Sequence, residues 1–171
     1  MRILLRSLCA ALFAALFAAL FVAIATAPLG AADTAGEPAP ELVLKDLDGK
    51  DVSLVRFKGR VVVVDFWATW CGPCIAEIPG YVALQRKYGK DGLVIIGVSL
   101  DRGGPAKVKK FVADHGMNYT IVMGDDSVAE AFGGFEAIPT TFLISRGGRI
   151  IHRKTGAWEH EAYEQLVKKN L

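Results

Sequence analysis

Two apolar runs, Val61–Trp67 and Leu93–Ser99, do most to limit what this chain can become. A strand with one wet face alternates apolar and polar residues, whereas a nearly unbroken apolar run reads as a strand covered on both faces. Such strands belong inside a sheet flanked by helices. The residues around them agree. Residues 72 to about 88 read as a helix with Ile75, Ile78, Val82 and Leu84 roughly on one face. Pro73 sits in its first turn, where a missing N–H costs nothing, and Pro79 is expected to kink it. Further helices are predicted over 105–114, 127–132 and 159–169, the last with Tyr163, Leu166 and Val167 to bury, and a short strand over 120–123. Residues 42–44 and 52–54 flank Asp48-Gly49, and 140–145 and 149–154 flank Gly147-Gly148, as two antiparallel hairpins. The fold class is therefore α/β: a mixed central sheet flanked by helices.

The mean hydropathy of +0.33 and the 52% of hydrophobic residues are too apolar for one ordinary soluble domain of 171 residues. The excess is local. Residues 7–32 carry no charge, are rich in Leu, Ala, Phe and Val, and follow Arg2 and Arg6. That order reads as an export signal. It ends at a cleavage site after Ala25-Thr26-Ala27 or Gly30-Ala31-Ala32, or it stays as an uncleaved membrane anchor, for which it is long enough. Cys9 lies within it and reads as a small apolar residue. Without Arg2 and Arg6 the chain holds 18 basic and 18 acidic residues. That balance argues against nucleic acid as the main partner. The expected organisation is a signal peptide or anchor over 1–32, a linker over 33–40 and one domain over 41–171, with membrane contact only through the N-terminal segment.

Outside the cytoplasm thiols tend to oxidise, so the remaining cysteines, Cys71 and Cys74, are informative. Their loop is too short to stabilise much by chain entropy. They stand where a buried strand meets a helix N-terminus, whose unpaired N–H groups and dipole favour thiolate over thiol at Cys71. Cys74 follows one turn on, within reach and more buried, while Gly72 and Pro73 fix the turn between them. The arrangement suits dithiol–disulfide exchange: Cys71 attacks a substrate disulfide, and Cys74 then resolves the mixed disulfide. The competing structural reading is half of a zinc site. Zinc needs about four ligands, and His115, His152 and His160 lack metal-ligand spacing. No metal is expected.

The segment Phe66-Trp67-Ala68-x-Trp70-Cys71-Gly72-Pro73-Cys74 closely resembles the thioredoxin superfamily. The Pro38-Ala39-Pro40-Glu41-Leu42 opening, Glu77-Ile78-Pro79, Gly97-Val98-Ser99, the extra helix-strand unit near 105–123 and Ile138-Pro139-Thr140-Thr141-Phe142 resemble its TlpA/ResA-like exported thiol-disulfide oxidoreductases. The resemblance covers nearly all of residues 38–171. It implies a thioredoxin fold with an N-terminal hairpin extension and a central helix-strand insertion, and no bound organic cofactor. It also implies that Pro139 is the family's cis-proline, whose loop meets the disulfide and extended substrate backbone. The residues alone allow an ordinary trans-proline turn equally well.

Asp65 interrupts the first apolar run six residues before Cys71. A buried carboxyl there should titrate near neutrality and could relay the Cys74 proton; the alternative is a carboxylate satisfied by backbone at a strand edge. The resemblance supports the relay, and it gives Glu77 a role in tuning the cysteines and choosing partners. Spacing alone reads Glu77 equally well as a solvated helix carboxylate. Trp70 is expected to cover part of a substrate groove with Ile138 and Pro139, while Trp67 packs inside. Lys107, Lys109 and Lys110 read as a solvated helix face, and His152 and His160 as surface residues.

The function so indicated is an extracytoplasmic reductase of protein disulfides, since Gly72-Pro73 resembles the reducing type of motif rather than the strongly oxidising Cys-Pro-His-Cys type. Resemblance implies a membrane electron donor of the DsbD/CcdA kind, and substrates such as apocytochrome c or copper-delivery proteins. Two alternatives stand beside it. One is a Cu(I) chaperone using the dithiol as a soft ligand pair. The other is a thiol peroxidase, whose Pro-x-x-x-Thr-x-x-Cys pattern would need Thr where Ala68 stands.

Overall fold

The structure is a computed structural model, and it describes residues 36–171. The leader, Cys9, the cleavage sites and the first part of the linker lie outside the described residues. Among the described residues, no helix is long and apolar enough to cross a membrane.

In chain order the elements are β1 (Glu37–Pro38), β2 (Val43–Asp46), β3 (Asp51–Ser53), β4 (Val61–Trp67), α1 (Gly72–Tyr88), β5 (Leu93–Ser99), α2 (Pro105–Asp114), β6 (Thr120–Met123), α3 (Asp126–Ala131), β7 (Thr140–Ile144), β8 (Arg149–Thr155) and α4 (His160–Asn170). All eight strands form one sheet in the order β1-β8-β7-β4-β5-β6-β2-β3. β4 pairs in parallel with β5 and antiparallel with β7, and β5 continues in parallel to β6. The two apolar runs are thus adjacent interior strands, and every residue of both is buried. The predicted hairpins form, although Leu54 leaves β3 for a short 3-10 turn over Leu54–Phe57. Glu37 and Pro38, in the stretch read as linker, pair with Ile150 and Arg149 as an edge strand.

The pleat of β4 sorts its side chains onto two faces. Val62, Val64 and Phe66 point into a cluster with Val128 and Phe132 of α3 and Phe142 of β7. Phe66 is the hub of that face, with ring centroids of Phe132 and Phe135 at 5.3 and 4.7 Å. Val61 and Val63 point the other way, onto Tyr81, Leu84 and Tyr88 of α1 and Tyr163 and Val167 of α4. Asp65 shares this second parity, so the strand itself delivers a carboxyl beneath α1.

Helix α1 buries Cys74, Ile78, Tyr81, Leu84 and Tyr88 rather than the expected stripe through Ile75 and Val82, which are half-buried. Tyrosine can pack its ring while its hydroxyl finds a partner, so a polar residue type occupies the inner face. The helix runs on through Pro79 as one element. Trp67 lies inside, as expected, because Gly97 of the neighbouring strand leaves room: a Cβ there would stand 2.9 Å from the indole nitrogen.

Candidate active site

The β4 strand ends at Trp67, and a turn closed by the Cys71 N–H to the Ala68 carbonyl at 3.1 Å carries the chain into α1. Cys71 is the N-cap residue of that helix, and its Sγ accepts from the Cys74 N–H at 3.3 Å. Cys71 and Cys74 form a disulfide, S–S 2.05 Å. Cys74 is the more buried of the two, as expected, but Cys71 is buried as well: their exposures are 2% and 6%. The cover comes from the far side of the chain. The Ile138–Pro139 bond is cis, and the Ile138 carbonyl oxygen lies 3.7 Å from Cys71 Sγ. What is open is the rim: Gly72 and Pro73 are exposed, and Trp70 is 67% exposed. Trp70 and Ile138 share a cleft of about 550 Å³ with Leu100, Arg102 and Phe135 beside the disulfide.

Asp65 is 4% exposed. Its Oδ1 accepts from Thr141 Oγ1 at 3.1 Å and, more weakly, from the Tyr81 hydroxyl at 3.5 Å. Burial and then the neighbouring Glu77 charge raise this carboxyl from 3.8 to about 7, against the opposing pull of those two hydrogen bonds. Glu77 is not a solvated helix carboxylate. Its Oε1 accepts the Trp158 backbone N–H at 2.6 Å, and its Oε2 is buried without a hydrogen-bond partner among the described residues. Burial raises its pKa as well, opposed by that N–H and by Lys154. Glu77, Tyr81, Trp158 and Tyr163 line a second cleft, of about 470 Å³, between α1 and α4. His152, expected at the surface, is half-buried against Trp158, whereas His160 is exposed.

Cys71, Cys74, Trp70 and the Ile138-Pro139 loop therefore gather just past the end of β4, while Asp65 lies near that end within the strand and Glu77 is close enough to act on it by charge. Chemically the site can hold a sulfur at a helix N-terminus, offer a second sulfur one turn on, and accept or release a proton near neutrality.

A family profile described as Redoxin matches residues 34–167. The chain belongs to the Redoxin family. This Redoxin-family chain is 35% identical over 134 residues to the thiol-disulfide oxidoreductase ResA of Bacillus thuringiensis subsp. konkukian, covering 78% of this chain and 77% of the relative. It is 36% identical over 138 residues to ResA of Bacillus subtilis, covering 78% and 75%. Among solved structures it is similar to a thiol:disulfide interchange protein of Chlorobium tepidum, with a TM-score of 0.73 and 30% identity over 81% of this chain and 99% of that one. A second Chlorobium tepidum structure, described as a candidate DsbE, matches with a TM-score of 0.73 and 32% identity over 79% and 96%. The fold is the thioredoxin fold, and the chain is a ResA-like thiol-disulfide oxidoreductase acting on protein substrates.

Several residues at this site escape sequence reading. Tyr81 and Thr141 hold Asp65, the Trp158 amide holds Glu77 from 81 positions away, and Asp101 holds Thr69 from 32 positions away. Only Thr141 stood in a motif. The Ser99-x-Asp101 pair, which begins on the last residue of a buried strand, was the available hint of the last.

Proposed function

We propose that this oxidoreductase works outside the cytoplasm, exported or anchored by residues 1–32 and tethered by the stretch 33–40, whose Glu37 and Pro38 already pair with the sheet, to the domain over 41–171, and donates electrons to protein disulfides. The observation that carries this reading is a disulfide at the N-terminus of α1, beside a cis-proline loop, in a protein whose preceding strand carries a buried carboxyl raised to about 7.

In the reduced protein, Cys71 thiolate is favoured by the helix N-terminus and attacks one sulfur of a substrate disulfide. A Cys71–substrate disulfide forms, and the other substrate sulfur leaves as thiolate and takes a proton from water. Asp65 carboxylate then takes the Cys74 proton. The Cys74 thiolate attacks Cys71 Sγ, releasing the second substrate thiolate and leaving the Cys71–Cys74 disulfide. Two electrons pass to the substrate. A carboxyl near 7 is about half ionised at neutral pH, so it can both take and return this proton. Glu77 acts on that step through its charge on Asp65. Trp70, Gly72 and Pro73 form the rim, and the Ile138-Pro139 loop offers backbone to an extended substrate segment.

An oxidising compartment would leave such a protein oxidised, so a membrane partner of the DsbD/CcdA kind returns two electrons and two protons. Apocytochrome c before haem attachment and copper-delivery proteins are the proposed substrates. A Cys74→Ser variant expressed with its own leader should accumulate mixed disulfides on Cys71, and wild-type protein in cells should be largely in the dithiol form. No adduct on Cys71, together with no reduction of a protein disulfide by the purified dithiol form, overturns the reading. A fully oxidised wild type that is active would make it an oxidase. Tight Cu(I) binding without exchange activity would favour the chaperone.

A further inference from the structure

We propose that Asp101 is a positioning residue for Cys71, fixing the turn that presents the sulfur and Trp70 to a protein substrate. This rests on thiol-disulfide exchange at Cys71, not on its direction.

Asp101 lies just past the end of β5, and its side chain is 2% exposed. Three hydrogen bonds and one ammonium converge on it. Oδ2 accepts the Thr69 backbone N–H at 2.8 Å, and Oδ1 accepts the Thr69 hydroxyl at 2.6 Å. Ser99 Oγ donates to Oδ2 at 3.0 Å, and Lys107 Nζ of α2 stands 3.5 Å from Oδ1. A buried ionised carboxylate is costly unless its lone pairs are filled, and here they are.

Two of those bonds go to one residue of the catalytic turn. Ala68 and Cys71 are the ends of that turn, closed by their own hydrogen bond, and Thr69 and Trp70 are its middle. A side-chain hydroxyl and a backbone N–H held by the two oxygens of one carboxylate leave Thr69 little freedom to rotate. The turn's geometry is thereby fixed to β5, a strand buried along its whole length. Nothing else among the described side-chain hydrogen bonds reaches Thr69, and Trp70 makes none. The open Trp70 ring and the direction of Cys71 Sγ both depend on this turn. Lys107, expected to be merely solvated, belongs to the insertion helix, so the inserted unit also touches the turn's anchor.

Small disulfides reach a sulfur from many directions, whereas a protein disulfide must dock on Trp70 and the proline loop first. Misplacement of the turn should therefore cost the protein substrate more. The experiment compares Asp101→Ala, Asp101→Asn, Thr69→Val and Ser99→Ala in the full chain, each in its dithiol form. Reduction of insulin and of bis(2-hydroxyethyl) disulfide is followed, with amide hydrogen exchange at Thr69, Trp70 and Cys71. Asp101→Ala should lose on the order of tenfold in kcat/KM for insulin and less than about threefold for the small disulfide. Asp101→Asn, which keeps an acceptor, should recover part of the loss, and Thr69→Val should show a smaller form of it. Ser99→Ala removes a bond to the same carboxylate without touching the turn, so it should leave the ratio of the two rates unchanged.

Amide protection at Thr69 and Cys71 should fall in Asp101→Ala and hold in Ser99→Ala. Equal losses on both disulfides, a Ser99→Ala effect as large as that of Thr69→Val, or unchanged protection would overturn the proposal. If Asp101→Ala fails to fold, the Thr69→Val and Ser99→Ala pair decides it. Wild type that reduces neither disulfide counts against the reductase reading alone, and exchange at Thr69 and Cys71 still decides the role of Asp101.

Discussion

Asp65 near the end of β4 and Asp101 past the end of β5 are almost equally hidden from solvent, at 4% and 5% exposure, yet their carboxyls are pushed in opposite directions. Asp65 is raised to about 7, because burial and the nearby Glu77 charge outweigh the hydroxyls of Thr141 and Tyr81. Burial acts on Asp101 too, but the Thr69 and Ser99 hydrogen bonds and the Lys107 ammonium overcome it and hold its pKa below the ordinary value. Two things separate them: Asp65 lies deeper in the protein, and Asp101 has the richer supply of donors and a cation. A starved carboxyl becomes a proton exchanger, and a fully served one becomes an anchor.

Stability should show the same split, with opposite signs. Between the ordinary aspartate pKa of 3.8 and about 7, folded protein holds a proton on Asp65 that the unfolded chain has released. Stability from this group is therefore complete below about pH 4 and is lost as pH rises through 7, by up to about 4 kcal/mol. Asp65→Asn should unfold at higher urea than wild type at pH 8, by about 2–4 kcal/mol, with the gap closing toward pH 4. Asp101 is depressed, so its contribution is present above the ordinary value and is lost as pH falls through its folded pKa. Asp101→Asn should cost about 1.5–3 kcal/mol at pH 8 and less in acid. Two aspartates moving stability the same way would break the comparison.

Smaller changes sharpen it. Glu77→Gln removes a charge that raises Asp65, so the Asp65 midpoint, followed by carboxyl carbon NMR, should fall by less than about one pH unit. Lys107→Ala should cost about 0.5 kcal/mol in urea unfolding, because its ammonium is mostly in water and contributes as a surface ion pair does.

How legible these regions were in the sequence follows from the range of the interactions. The two interior strands, α1 and both cysteines are set by local pattern, and the structure places their ends where the pattern does. Asp65 stood out because a lone acid broke an apolar run. Asp101 did not, since a carboxylate two residues past a strand end looks like any solvated loop acid, and its partner Thr69 sits 32 positions away. Glu77 was half legible: helix spacing placed it one turn beyond Cys74, but no periodicity announces a Trp158 amide arriving from the connection between β8 and α4. Nor does it announce that the inner face of α1 carries two tyrosines, one of which reaches Asp65.

The division of labour between the two aspartates is tested most directly by the resolving step itself. A mixed disulfide is prepared on Cys71 of the purified protein, and release of the leaving thiol is timed from pH 5 to 9. The wild-type rate should rise through an inflection near pH 7. Asp101→Asn should keep that inflection, and Asp65→Asn should lose it and run slower at every pH above it. An unchanged inflection and rate in Asp65→Asn would contradict the assignment of the Cys74 proton to Asp65.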